Sequence, residues 1–324
     1  MPEKIVLLDP FDDSWVATVR QWVPDGMTLV HDPRPGVEQR RALIADADFA
    51  IAAQIAVDGD LLRRASRLKL LHKLGTGTDN LDLETARELG IGVARLAGAG
   101  ARTVAEYALG LMLAAQRAIP YSHARLMDGQ WIGPGRLPMP TYMLTGKVVG
   151  VVGLGAIGME LAKILKGFDC TILYNKRTPL DREVEVELGV RYAELPELLS
   201  KSDVVSLNCP LTAETRGLIN RDTLKTMKGS AILVNVARGG VLVEEDLIQA
   251  LRDGVIGAAA LDVFAEEPLP PGSPLIQARL DNLVLTSHLA AVASENFEKN
   301  MRRLFSNMLS VAQGGAVPAI DRVL

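Results

Sequence analysis

Residues 148–158 (Val-Val-Gly-Val-Val-Gly-Leu-Gly-Ala-Ile-Gly) constrain this chain more than any other stretch. The apolar run Val148–Val152 reads as a buried parallel strand, and it flows into G-x-G-x-x-G at Gly153, Gly155 and Gly158. A helical pattern follows, with Ile157, Leu161, Ile164 and Leu165 on one face. Glycines let the turn approach a pyrophosphate, and a helix N-terminus offers unpaired N–H groups to its negative charge. The expected dinucleotide contacts are Gly153, Gly155, Ala156, Ile157 and Gly158. Roughly 150 residues precede the turn, enough for a further domain.

The flanking sequence alternates short apolar runs with helical stretches. Before the glycine turn the candidate strands are Lys4–Leu8, Met27–Val30, Phe49–Ala52, Lys69–Lys73 and Gly92–Arg95, with helices such as Val37–Ala45 and Asp58–Ala65 between them. That rhythm indicates an α/β domain with a parallel sheet. A long helix is predicted over Thr103–Ala118, ended or kinked by Pro120. Gly129–Gly146, with Trp131, Pro134, Pro138 and Pro140, is too proline-rich for a helix or central strand. It reads either as a surface excursion or as a segment that covers a pocket or meets another subunit. From Val148 onward six strands are expected: Val148–Val152, Thr171–Tyr174, Val204–Asn208, Ala231–Val236, Ala258–Val263 and Leu283–Thr286. With helices between them they match a complete doubly wound dinucleotide domain. A last helix is expected over Ser294–Val311.

Bulk properties narrow the function. The 324 residues carry a net charge of −4, so no basic field attracts nucleic acid, and an anionic substrate needs a local basic site. Cys170 and Cys209 lack metal or redox spacing and read as reduced core thiols of a cytoplasmic protein. The N-terminus, Met1 to Asp9, reads as a strand rather than a leader. The apolar stretch Tyr107–Ala115 is far short of the roughly 20 residues that span a bilayer, so no membrane partner is expected. No metal site is expected either.

Chemistry in an open parallel sheet collects at the carboxyl ends of its strands. Three consecutive late strands are followed by Ala237-Arg238-Gly239-Gly240, by Phe264-Ala265-Glu266-Glu267-Pro268 and by Ser287-His288. A guanidinium, a carboxylate and an imidazole are what reduction of a 2-oxo acid needs. Arg238 can grip a carboxylate bidentately. His288 can protonate the developing alkoxide, and Glu267 can orient the imidazole. His31 and His123 fall in loop and helix patterns and read as structural, while His72 reads as core.

The motifs in order resemble the D-isomer-specific 2-hydroxyacid dehydrogenase family. The matching segments are Gly75-Thr76-Gly77-Thr78-Asp79-Asn80, Thr103-Val104-Ala105-Glu106, the glycine turn, and Cys209-Pro210-Leu211-Thr212. Asn235-Val236-Ala237-Arg238-Gly239-Gly240, Ala260-Leu261-Asp262-Val263-Phe264, Glu266-Glu267-Pro268 and Thr286-Ser287-His288 complete them. The resemblance implies two doubly wound parallel-sheet domains: a central Rossmann-type coenzyme domain, 101–292, and a flavodoxin-like substrate domain built from 1–100 and 293–324. It implies hydride transfer between NAD(P)H and C2 of a small 2-oxo/2-hydroxy acid, with glyoxylate or hydroxypyruvate foremost, in a homodimer. Arg238 then binds substrate, His288 is the acid/base and Glu267 its partner. Backbone groups of Leu74, Gly75 and Thr76 receive the substrate carboxylate. Thr103, Cys209, Pro210, Thr215, Val236, Ala237, Asp262, His288 and Ala290 surround the coenzyme.

This sequence departs from the family pattern around His288, which Ser287 precedes and Leu289-Ala290-Ala291 follow. It departs again at the end of the second coenzyme-domain strand. NAD enzymes place an acid there for the ribose 2′-hydroxyl. Here Asn175, Lys176 and Arg177 stand instead, so NADP(H) is expected to be preferred, with NAD(H) also possible. D-3-phosphoglycerate, met by Lys73 or Arg102, is an alternative substrate, and phosphite another. A nicotinamide-sensing, co-repressor-like binding protein is the reading from outside enzymology.

Overall fold

The computed structural model describes residues 2–133 and 135–324, so Pro134 lies outside the described residues. The chain divides into two units, Met1–Gly100 with Val292–Leu324, and Ala101–Ala291.

The first unit is built on β1 (Glu3–Leu7), β2 (Met27–His31), β3 (Phe49–Ala52), β4 (Leu70–Lys73) and β5 (Gly92–Ala94). Among the described residues these form one sheet in the order β2-β1-β3-β4-β5, every pairing parallel, which is the flavodoxin-like order. Phe49–Ala52 and Leu70–Lys73 are buried at every position, as expected of strands covered on both faces. The C-terminal helix Ser294–Ala312 returns to this unit. Met301, Leu304, Phe305 and Met308 recur at helical spacing and bury themselves against Ile5, Leu7, Phe49, Ile51 and Leu70.

The second unit holds β6 (Val148–Val152), β7 (Thr171–Asn175), β8 (Val190–Tyr192), β9 (Val204–Leu207), β10 (Ile232–Asn235), β11 (Ala258–Leu261) and β12 (Leu283–Leu285). Their order, β12-β11-β10-β9-β6-β7-β8, is the doubly wound one with the switch point between β6 and β9. The edge strand β8 is the addition to the six expected. It is three residues long and only Val190 is buried, so it carries almost no periodic signal. The helix expected to end near Ala118 stops at Gln116, where Ala118 takes a left-handed φ of 51°. Pro120 then sits in the first turn of a second helix, Ile119–Met127, where a missing N–H costs nothing. No helix among the described residues is long and apolar enough to cross a membrane.

Several polar side chains lie buried in the first unit, and one of them is a histidine. His72 of β4 is fully buried, and burial lowers its pKa from 6.5 to about 4. The unfolded chain therefore binds a proton that the folded chain refuses between these values, and stability rises with pH across that window. Lowering the pH from 7 to 4 should remove up to about 3 kcal/mol of folding stability through this residue. Urea unfolding of His72→Gln and wild type at both pH values checks this: the variant should lose clearly less than the wild type over the same drop.

Candidate active site

The glycine turn closes at the end of β6, and each motif glycine answers a different steric demand. Gly153 has φ 95°, and a Cβ there would stand 2.5 Å from the Cys209 nitrogen. A Cβ at Gly158 would stand 2.5 Å from the Gly153 carbonyl oxygen, so helix Ala156–Lys166 packs directly on the turn. At Gly155, the N-cap of that helix, a Cβ would meet nothing within 4 Å. Tight packing at the first and third glycines thus coexists with open space at the second, in front of the helix N-terminus. A pyrophosphate fits that cradle. Gly155 and Ala156 are exposed, Gly153 and Ile157 half-buried.

The Gly153 N–H donates to the Asn175 carbonyl at 2.9 Å, tying the turn to the end of β7. The Asn175 amide in turn donates to the Ala193 carbonyl at 3.0 Å. Lys176 is half-buried, with no hydrogen-bond or ion-pair partner among the described residues, and Arg177 is exposed. Glu214 lies within the field of Arg177: its carboxyl is held below the usual range by the Thr212 hydroxyl first and by Arg177 in addition. Beyond β9, Cys209 is buried, and burial pushes its thiol up to about 11, so it packs as a neutral group. Thr215 knits the same loop, donating to the Pro210 carbonyl at 2.6 Å and accepting from the Thr212 N–H at 2.8 Å. Thr103 is half-buried in helix Ala101–Gln116.

Arg238 follows β10. Fully buried Asn235 fixes its backbone: the amide oxygen accepts from the Ala237 N–H and the amide nitrogen donates to the Arg238 carbonyl, both at 3.0 Å. The guanidinium donates to the Ala237 carbonyl at 2.8 Å, with Val236 and Ala237 buried beneath. A Cβ on Gly239 would fall 1.8 Å from the Phe264 carbonyl carbon, so only glycine lets the end of β10 close on the loop after β11.

That loop carries Glu267. Its Oε1 accepts from the Phe264 N–H at 2.9 Å, and its Oε2 meets His288 Nδ1 at 2.6 Å. Burial works against the Glu267 charge, yet the His288 contact, the Phe264 N–H and the field of Arg238 together hold its carboxyl below the usual range. An ionised carboxylate only accepts, so the imidazole proton at this contact lies on Nδ1, which leaves Nε2 to face the reaction. His288 itself takes a left-handed φ of 55°. Buried Asp262 enforces that bend. Its carbonyl accepts from the His288 N–H at 2.8 Å, and its carboxylate accepts from the Thr286 hydroxyl (2.6 Å), the Leu289 N–H (3.0 Å) and the Ala290 N–H (2.9 Å). Because β10, β11 and β12 are neighbours, Arg238, Glu267 and His288 stand at adjacent strand ends.

In the first unit the loop after β4 differs from expectation in one respect. The Leu74 N–H is taken by the Ala52 carbonyl at 2.8 Å, so it extends the sheet and cannot receive a substrate. The N–H groups of Gly75 and Thr76 have no partner among the described residues. The cations expected to meet a phosphate are engaged. Lys73 is buried and its ammonium donates to the Ala53 carbonyl and to Asn80 Oδ1, while Arg102 pairs with Glu106 and Glu160. Among the described residues no group of three or more His, Cys, Asp or Glu side chains could hold a metal ion.

Two positioning residues were not legible as such. Asn235 was part of a motif without a role. Asp262, expected beside the nicotinamide, turns its carboxylate into the His288 loop. An asparagine before a strand-end arginine and an acid directly after an alanine-rich strand are the only sequence signals, and neither reveals its partners.

Residues 109–290 match the family described as D-isomer specific 2-hydroxyacid dehydrogenase, NAD binding domain. The chain is 40% identical over 282 residues to a glyoxylate reductase of Aeropyrum pernix, covering 86% of this chain and 83% of that one. It is 34% identical over 318 residues to a glycerate dehydrogenase of Methylorubrum extorquens, covering 97% and 98%. Among solved structures it is similar to the TT0316 protein of Thermus thermophilus, with a TM-score of 0.87, 32% identity, and 99% and 100% of the two chains covered.

Asp262→Asn would place an amide donor where the carboxylate accepts from Leu289 and Ala290. Hydrogen–deuterium exchange of residues 286–290 should then accelerate at least about tenfold, with β6 and β9 unaffected. Unchanged exchange would mean that Asp262 does not hold the His288 loop.

Proposed function

Because this chain belongs to the D-isomer-specific 2-hydroxyacid dehydrogenase family, we propose that it is a glyoxylate/hydroxypyruvate reductase that prefers NADP(H). It is an NAD(P)-dependent oxidoreductase acting on the CH–OH group of a small 2-hydroxy acid, or in reverse on the 2-oxo acid. The observation that carries the assignment of roles is the 2.6 Å contact of Glu267 with His288 Nδ1 at the strand end next to Arg238.

In the reducing direction Arg238 binds the substrate carboxylate and polarises the adjacent carbonyl, its charge independent of pH. In the first unit, the N–H groups of Gly75 and Thr76, without partners among the described residues, are the groups we assign to receiving a carboxylate. Bound nicotinamide supplies the hydride that reaches C2. His288 gives its Nε2 proton to the former carbonyl oxygen, and Glu267 stabilises the imidazolium that precedes this transfer. Depressed below its usual range, the Glu267 carboxylate keeps that role throughout the neutral region.

Relatives named glyoxylate reductase and glycerate dehydrogenase support glyoxylate and, as the 2-oxo acid that corresponds to glycerate, hydroxypyruvate. The engagement of Lys73 and Arg102 disfavours a phosphorylated substrate. Half-buried Lys176 and exposed Arg177, where an acid would bind a 2′-hydroxyl, support NADP(H). Two free thiols suit a reducing compartment, and we place the enzyme in the cytoplasm.

Helix Ile119–Met127 buries no residue, and Ile119, Leu126, Met127, Trp131 and Met143 are exposed on it and on the segment that follows. A patch of this kind suits two-fold pairing with a second copy, and we assign it to a homodimer.

Steady-state kinetics test the catalytic reading. Glyoxylate and hydroxypyruvate should be reduced with kcat/KM at least about tenfold higher for NADPH than for NADH, because a cationic site gains from the 2′-phosphate. His288→Gln should lower kcat by about 10²- to 10⁴-fold while the coenzyme Kd stays within about threefold. Full activity in that variant removes His288 from the mechanism, and an NADH preference removes Lys176 and Arg177 from phosphate recognition. Light scattering tests the assembly: Met127→Asp should convert a dimer to a monomer, and a wild-type monomer sinks the assignment.

A further inference from the structure

Asp321, in the C-terminal tail, is a fully buried carboxylate. Arg303 forks onto it from helix Ser294–Ala312, its Nε donating to Oδ2 at 2.6 Å and a terminal nitrogen to Oδ1. Asn307 donates to Oδ2 at 3.0 Å. Two backbone contacts extend from the same residue: Asp321 Oδ1 accepts from the Ala97 N–H at 3.1 Å and its carbonyl from the Arg95 N–H at 2.9 Å. Asp321 thus grips both neighbours of Leu96.

Leu96 holds the loop after β4. Its N–H donates to the Gly75 carbonyl at 2.9 Å and its carbonyl accepts from the Thr76 hydroxyl at 2.9 Å. In a planar trans peptide the C=O and the following N–H point in opposite directions. Holding the Gly75 carbonyl against Leu96 therefore turns the Thr76 N–H to the opposite side, away from β5.

A second arm reaches the loop from its other end. The Asn307 amide nitrogen also lies 3.0 Å from His72 Nε2. An amide nitrogen only donates, so Nε2 accepts, and the ring proton sits on Nδ1, which donates to the Lys73 carbonyl at 3.0 Å. Asn307 has two hydrogens and serves both partners. The neutral ring this needs is the form that burial imposes on His72.

We propose that the buried network His72–Asn307–Asp321–Arg303 positions the Gly75–Thr76 N–H groups, so that four residues which never touch substrate govern its capture. The proposal rests on the role given to these two N–H groups above. A strand needs no histidine at position 72, and a buried polar network is stable only when every member is satisfied, which is also what makes it rigid. Rigid N–H groups are worth more to a carboxylate than mobile ones, since misplacement by about 1 Å can cost up to about 100-fold.

The test is Asn307→Leu, which keeps the branch at Cγ and the helix while cutting the link from Asp321 to His72. KM for glyoxylate should rise about tenfold, with kcat within about threefold and the NADPH Kd, read by fluorescence, unchanged. A folded variant with a lower Tm but unmoved KM reduces the network to a structural tie and overturns the proposal. Equal losses in KM and coenzyme binding overturn it as well. Should Asn307→Leu not fold, Arg303→Lys keeps the charge and loses the fork; a KM rise of about threefold supports the proposal and no rise overturns it. Arg238→Gln, assayed alongside, separates the two levels. If it leaves the glyoxylate KM unmoved, the reading of the substrate site fails and the network proposal with it. If Arg238→Gln raises KM and Asn307→Leu does not, the network proposal alone fails.

Discussion

A parallel sheet covered on both faces meets a ligand at the carboxyl ends of its strands. Both sheets here are of that kind, and β3, β4, β9, β10 and β11 are buried from end to end. Side chains with chemistry to do are therefore confined to the few residues after each strand, and their precision depends on what holds those few residues still. In the second unit that support is inward-facing: Asn235 grips the backbone of Ala237 and Arg238, and Asp262 grips that of Leu289 and Ala290. In the first unit Asp9 does likewise, accepting from the N–H groups of Ala53, Gln54 and Ile55 at the end of β3. Buried acceptors satisfy orphan N–H groups and, by doing so, fix the loop that presents the reactive group.

The strand rhythm, the glycine turn and the three strand-end residues were legible because each depends on local pattern. Apolar runs such as Val148–Val152 and Ala258–Leu261 mark themselves. Strand β8 did not, since three residues at a sheet edge bury too little to leave a period. Pro120 signalled a break correctly, but nothing in one residue distinguishes the end of a helix from the first turn of another. Leu74 was grouped with its neighbours as a substrate contact, whereas the pairing of its N–H with Ala52 follows from sheet register, which only the folded chain displays.

The least legible features are the long-range polar ones. His72 and Asn307 lie 235 residues apart and meet at 3.0 Å. Taken singly, His72 is a core histidine and Asn307 a polar residue on the buried face of an amphipathic helix. Only together do they explain each other. The same holds for Gly239, whose missing side chain is dictated by Phe264, a residue of the next loop.

The return of helix Ser294–Ala312 to the first unit also shapes how the chain assembles during synthesis. The strands of that unit leave the ribosome early, but Met301, Leu304, Phe305 and Met308, which cover one face of their sheet, and Asp321 emerge after the whole second unit. At ordinary rates of translation this interval lasts roughly ten to forty seconds. For that time the face has only helix Asp13–Arg20, through Val16 and Val19, to cover it, and the unit made first is the unit finished last.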